Sequence, residues 1–230
     1  MKNLQEKLNF LLDKYSVDVK AELKDAKTVI IDGQELPLLS HRNERRFLEQ
    51  KNIVTGGTLQ GVSVMRVARI IEKGSDIYEA LGRELDICQY VLQRNLVSVM
   101  VMQNDNVLNA ISTCEDGVVC TIEISATLAA GEVAKDKHEI IAQRGTCCDV
   151  VVDTQLKQDS IYVFGAENQK FTDVDFELYG LSIEEVALVR AAFGIAQKKN
   201  YEEMKAINAR MEKLVELAKR SAVSGQREVM

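Results

Sequence analysis

The side chains able to do chemistry are few and widely spaced. Arg66 and Arg69 interrupt an otherwise apolar run from Leu59 to Ile71. Guanidinium forks match carboxylates and phosphates, so the two could hold an anion. The competing role is an ion pair with a neighbouring carboxylate, or a snorkelling surface arginine. Gly56 and Gly57, just upstream, could present backbone N–H groups to an anion at a helix start. They could equally make a tight entry into that helix. His41 precedes a charged segment and His138 heads a β-rich one, and neither has a Ser or Cys in a nucleophile context, which argues against a triad. Asp173 and Asp175 alternate with Val174 and Phe176, placing both carboxylates on one face of a strand, as a cation site or as a solvated face.

Five cysteines, Cys88, Cys114, Cys120, Cys147 and Cys148, make an odd count with no C-x-x-C. With only two histidines to complement them, a zinc site is not expected, and small core residues are the plainer reading. Cys114 and Cys120 flank a turn and can approach each other across it. Cys147 and Cys148 are adjacent and point to opposite faces of a strand.

These residues sit in a chain of 230 residues that is 46% hydrophobic, long enough for a substantial core without staples. The net charge of −6, with no basic block, argues against a nucleic-acid surface. No apolar run approaches a membrane span, and the N-terminus lacks the apolar core of a signal peptide, so a cytoplasmic protein is expected.

From Leu96 to Phe164 the chain reads as short β segments bounded by Gly, Asn or Asp, with strands expected at 96–102, 107–114, 118–128, 138–142, 148–152 and 161–164. Glu115-Asp116-Gly117 is a hairpin signal. No crossover helix fits between these segments, so they should pair antiparallel as a meander. Upstream, a helix to about Lys14 precedes a hairpin turning at Asp32-Gly33, with Pro37 at a sheet edge. A charged helix follows over 42–51, with Ser40 as its cap. The double glycine then opens a helix from about Thr58 to Glu72, apolar on nearly all sides and therefore buried. Ser75 or Asp76 caps the next helix, to about Arg94. Ser182 and Glu185 form a capping box for another, and a final helix carries Met204, Ile207, Met211, Leu214 and Leu217 at core spacing. The expected fold is α+β: a large, open, mainly antiparallel sheet of about six or more strands with helices on one face. It is expected as one domain over 1–230, with 1–55 an N-terminal extension and 56–230 the main body.

Two stretches, Gly56 to Ile71 and Asp105 to Ser125 with its continuation Lys137 to Thr146, together with the ending Glu216 to Val229, resemble the C-terminal domain of the glucose–fructose oxidoreductase/inositol dehydrogenase/MocA family. The resemblance implies an open antiparallel sheet backed by helices, often used for oligomerisation. The family begins with a Rossmann domain, and this chain has no G-x-G-x-x-G. The family's buried helix reads Gly-Gly-x-Leu-x-Asp-x-Gly-x-His-x-x-Asp, its His an acid/base candidate. Here Gly61, Met65 and Ala68 match the first Asp, the His and the last Asp, and none of them transfers protons. The resemblance also places Arg66 and Arg69 beside the family's active-site segment.

The expected function is that of a stand-alone, non-catalytic binding or assembly module, a homo-oligomer through its sheet, with no cofactor, metal, nucleic acid or membrane partner. One alternative is the substrate-domain subunit of a split NAD(P)-dependent oxidoreductase whose Rossmann domain is a separate chain. The other is a sensor of small anions using Gly56, Gly57, Arg66 and Arg69.

Overall fold

The computed structural model describes residues 1–149, 160–172, 175 and 177–230. Internal contacts divide the chain into two compact units, one of residues 1–48 with 174–210 and the other of 49–173 with 211–230.

The first unit opens with α1 (Lys2–Lys14), which buries Leu4, Leu8, Leu11 and Leu12 at the spacing of one helix face. Three short strands, β1 (Ala21–Leu23), β2 (Thr28–Ile31) and β3 (Gln34–Pro37), form an antiparallel sheet in that order. The β2–β3 hairpin turns through Asp32 and Gly33 at φ 49° and 81°. Positive φ at both central residues belongs to the type I′ turn, which matches strand twist and favours Asp-Gly. Pro37 lies on an edge strand, where its missing N–H costs no ladder bond. The expected charged helix is instead a 3-10 turn at Ser40–Asn43, which Ser40 does not cap, followed by α2 (Arg45–Thr55). The capping box forms as expected. The Glu185 N–H donates to Ser182 Oγ at 3.2 Å and the Ser182 N–H to Glu185 Oε2 at 2.8 Å, starting α4 (Ile183–Lys198). Of the aspartate pair, Asp175 caps the Glu177 and Leu178 N–H groups and takes two bonds from Arg190, at 2.9 and 3.0 Å, while Asp173 lies outside the described residues.

The second unit is built on a nine-stranded sheet. Its strands are β4 (Gln60–Glu72), β5 (Leu96–Asn104), β6 (Val107–Cys114), β7 (Val119–Leu128), β8 (Lys135–Arg144), β9 (Thr146–Cys148), β10 (Ser160–Phe164), β11 (Gln169–Thr172) and β12 (Glu228–Val229). They run in the order β11-β10-β9-β8-β4-β7-β6-β5-β12. The expected strand over 148–152 is described only to Asp149.

The main departure from expectation is β4. The segment expected as a buried helix from Thr58 to Glu72 is a 13-residue strand in the middle of the sheet. It pairs parallel with β7, Val67 opposite Ile122, and antiparallel with β8, Val67 opposite His138. Apolar residues fall on both faces of β4, and periodicity alone does not separate such a run from a buried helix. Val62, Val64, Val67, Ile70 and Ile71 are the β-branched signal that favoured the strand. The insertion also breaks the expected meander. β5, β6 and β7 pair in succession, but β4 lies between β7 and β8, so the sheet is mixed.

Helix α3 (Ile77–Leu92) covers one sheet face, packing chiefly on β7 and β4. Asp76 caps it, accepting from the Tyr78 and Glu79 N–H groups. Beneath it lie Met65, Val67, Leu108, Ala110, Cys120, Ile122, Ile124 and Ile140, all at most 3% exposed. The C-terminal part of α5 (Tyr201–Ser224) meets α3 at Gly82, where a Cβ would lie 3.0 Å from Val215. The opposite sheet face is open. Among the described residues, no helix is long and apolar enough to cross a membrane.

Gly145 makes the β8–β9 turn at φ 92°, and a Cβ there would meet Leu59 at 3.0 Å and the Phe164 carbonyl at 3.3 Å. Gly145→Ala is expected to lower unfolding free energy by about 1–3 kcal/mol, read by urea denaturation.

Candidate functional site

The densest collection of ionisable groups lies under α3, where it crosses β4 and β8. Arg69 and Asp136 are cross-strand partners on the covered face, and Arg69 Nη1 donates to Asp136 Oδ2 at 2.8 Å. His138, two residues on, is fully buried. Its Nδ1 donates to Asp149 Oδ2 at 2.7 Å and its Nε2 to Glu84 Oε2 at 2.8 Å. Asp149 also accepts the His138 backbone N–H at 2.7 Å and returns its own N–H to the His138 carbonyl at 3.2 Å. Glu84, on α3, is fully buried, and its second oxygen takes Arg83 Nη1 and lies 3.4 Å from Arg69 Nη1.

The chemistry follows from what flanks the imidazole. A carboxylate is an acceptor, so a ring between two of them must donate from both nitrogens and carry a charge. Burial opposes that charge, but Asp149 and Glu84 outweigh it and push His138 up to about 9. Burial likewise opposes ionisation of Glu84, yet Arg83, His138 and Arg69 hold its carboxyl down at about 2. Three carboxylates, Glu84, Asp136 and Asp149, thus face three cations, Arg69, Arg83 and His138. Each of these ions has a partner of opposite charge, the condition under which burial of ions is tolerated.

Glu84, Asp136 and His138 can each point one ligand atom into a common space, these atoms lying within 4.8 Å of one another. The arrangement does not fit a divalent cation. Both imidazole nitrogens are donors, and two guanidinium groups occupy the carboxylate oxygens a metal would need. Nor does buried His138 present a proton to a substrate.

The residues singled out from the sequence do not assemble into one site. Gly56 and Gly57 close α2 rather than open a helix. Their N–H groups turn back to Asn52 and Val54, that of Thr58 to Ile53, and Gly57 has φ 74°, the left-handed geometry of a helix end. Arg66 and Arg69, three apart on a strand, point to opposite faces. Arg66 is exposed on the open face, 3.6 Å from Glu139, and Arg69 is in the buried cluster. Gly61, Met65 and Ala68 lie on β4, not on a helix. His41 is buried in the 3-10 turn of the other unit. All five cysteines are buried thiols, and Cys114, Cys120 and Cys88 bond in a line, which with burial keeps Cys114 protonated.

Sequence reasoning missed Glu84, Asp136 and Asp149, since the cluster joins positions 69 to 149. One signal was available. Glu84 falls on the inward stripe of α3, between Leu81 and Cys88, and a carboxylate on a buried stripe requires cationic partners.

Glu84→Leu should leave buried cations uncompensated and cost about 3–5 kcal/mol in urea unfolding. The network also sets a pH window. His138 gains proton affinity on folding, so its contribution is complete below its ordinary 6.5 and disappears as pH rises through about 9. Glu84 loses proton affinity, so its contribution holds above 4.5 and disappears as pH falls towards about 2. The urea midpoint should therefore fall on the alkaline side, and His138→Gln should flatten that fall.

No protein-family model matches the chain, and no curated protein matches it. Solved structures do. An oxidoreductase from Agrobacterium radiobacter in complex with NAD+, L-tartaric acid and magnesium superposes with a TM-score of 0.67 at 14% identity, over 84% of this chain and 64% of that one. Levoglucosan dehydrogenase in complex with NADH gives 0.66 at 10% identity, over 83% and 64%. An inositol dehydrogenase homolog from Azotobacter vinelandii, complexed with NADH and myo-inositol, gives 0.61 at 13%, over 84% and 63%. The chain spans less than two thirds of the length of each. Its fold is that of part of the glucose–fructose oxidoreductase/inositol dehydrogenase/MocA oxidoreductases, as the sequence resemblance implied.

Proposed function

We propose that the chain is a binding and assembly module on an oxidoreductase-type sheet, that two copies meet through the open sheet face, and that it carries no proton-transfer centre of its own. The observation that carries the reading is the composition of that face. Met102, Ile111, Val107 and Ile70 stand there 70%, 48%, 42% and 37% exposed. Cross-strand register places Ile111 beside Met100 and Thr121, and Val107 and Ile70 on either side of Ser125. Arg66, Glu139 and Lys137 lie towards β8. Asn109 and Glu123 stand among these residues on the same face, so it is a mixed patch of exposed apolar side chains with polar and charged groups, and a two-fold axis would set patch against patch.

The non-catalytic part rests on α3. We take α3 as the counterpart of the family's acid/base helix, since Ala80, Gly82, Glu84 and Ile87 repeat the spacing Asp-x-Gly-x-His-x-x-Asp. Glu84 then stands in the place of the imidazole. Its carboxyl, held at about 2 and bonded to His138 and Arg83, is far from the pKa that acid/base exchange at neutral pH requires.

A second reading, a substrate-wall subunit for a separate nucleotide-binding chain, draws on the neighbours solved with NAD+ or NADH. Co-purification of a Rossmann-type protein would favour it.

Light scattering after size exclusion should give twice the chain mass at micromolar concentration, and Ile111→Glu should halve it with an unchanged circular dichroism spectrum. A wild-type monomer would remove the assembly claim.

A further inference from the structure

On one side of the sheet only the two-residue β12 lies outside β5, whose composition suits pairing with a copy of itself. Leu96-Val-Ser-Val-Met-Val-Met102 contains no charge, proline or glycine. Segments of this kind at a sheet edge are the ones that pair between chains. Here the edge is occupied. Glu228 pairs antiparallel opposite Val99 and Val229 opposite Ser98, and the Met230 N–H donates to the Val97 carbonyl at 3.0 Å. The next edge donor, the Val101 N–H, donates to Ser221 Oγ on α5 at 2.9 Å. The same hydroxyl donates to the Gln226 carbonyl at 2.6 Å, and Arg220 holds Glu228 at 2.7 Å. Ser221, fully buried, thus both ends the exposed ladder and fastens the segment that covers it.

We propose that residues 226–230 cap the β5 edge and keep it from pairing antiparallel with β5 of a second copy. The cap shows that an antiparallel strand satisfies these backbone groups. A two-fold β5–β5 pair would satisfy the same groups and match two uncharged segments, and it runs on past Val101 where Ser221, having lost its Gln226 partner with the segment, releases the Val101 N–H. Glu228 supplies the charge that β5 lacks. This association differs from one through the open face and does not depend on it.

The test compares the weight-average mass of the full chain, a chain lacking 226–230, and Ser221→Ala, by light scattering at equal concentration with circular dichroism as a check on folding. Deletion should at least double the mass relative to wild type, whatever the wild-type state, and Ser221→Ala should shift it in the same direction. Strand alternation puts the Gln103 N–H on the same edge as that of Val101. Gln103→Pro in the shortened chain should therefore restore the wild-type mass without touching the β6 ladder. Unchanged mass in both the shortened chain and Ser221→Ala, or a mass insensitive to Gln103→Pro, would overturn the proposal. If the shortened chain loses its native spectrum, Ser221→Ala decides, because alanine suits that helical position.

Discussion

The second unit depends on one charged hydrogen-bonded bridge, His138 between Glu84 and Asp149. Its Nε2 reaches the helix above the sheet, and its Nδ1 reaches the residue that follows β9. A single ring therefore ties α3 to the sheet and holds Asp149 at the end of β9. Apolar packing tolerates sliding by a methyl group or so, whereas a buried ion does not tolerate separation from its partner. The bridge gives the layer between α3 and the sheet its register.

In the proposed reading, the same bridge is what withdraws the ionisable groups of α3 from catalysis. Catalytic groups require access and a proton affinity near the working pH. Here Glu84 of α3 faces inward and is paired with Arg83 and His138. The ionisable groups that draw attention under α3 are used for cohesion. What remains accessible on the sheet is its open side, where Met102, Ile111, Val107 and Ile70 stand among polar and charged residues such as Arg66, Asn109 and Glu123.

Much of this was legible in the residues. Local chemistry was read correctly at the Asp32-Gly33 turn, the Ser182–Glu185 box, the cap at Asp76 (one of two candidates) and the turn at Gly117, whose φ is 89°, but not at Ser40 or Gly56-Gly57. The alternating strands β6 and β7 were also clear, because one face of each is buried and the other is not. β4 was misread because Val62, Val64, Ala68 and Ile70 put apolar side chains on its open face as well, which blurs the alternation that marks a strand. The ion cluster was invisible for a different reason. It is assembled by strand register and helix placement, and no spacing along the chain encodes a pairing of residue 84 with residue 138.

The position of β4 bears on how the unit forms. β5, β6 and β7 zip together through near neighbours in sequence, such as Asn104 opposite Val107. β4 must instead find Ile122 from Val67 on one side and His138 on the other. Closing loops of that length precedes any gain from the contacts, so such pairings lag behind hairpins. On loop-closure grounds the meander and α3 form a scaffold before the central strand inserts, and the imidazolium bridge, which needs the finished register, is expected to close only after that insertion.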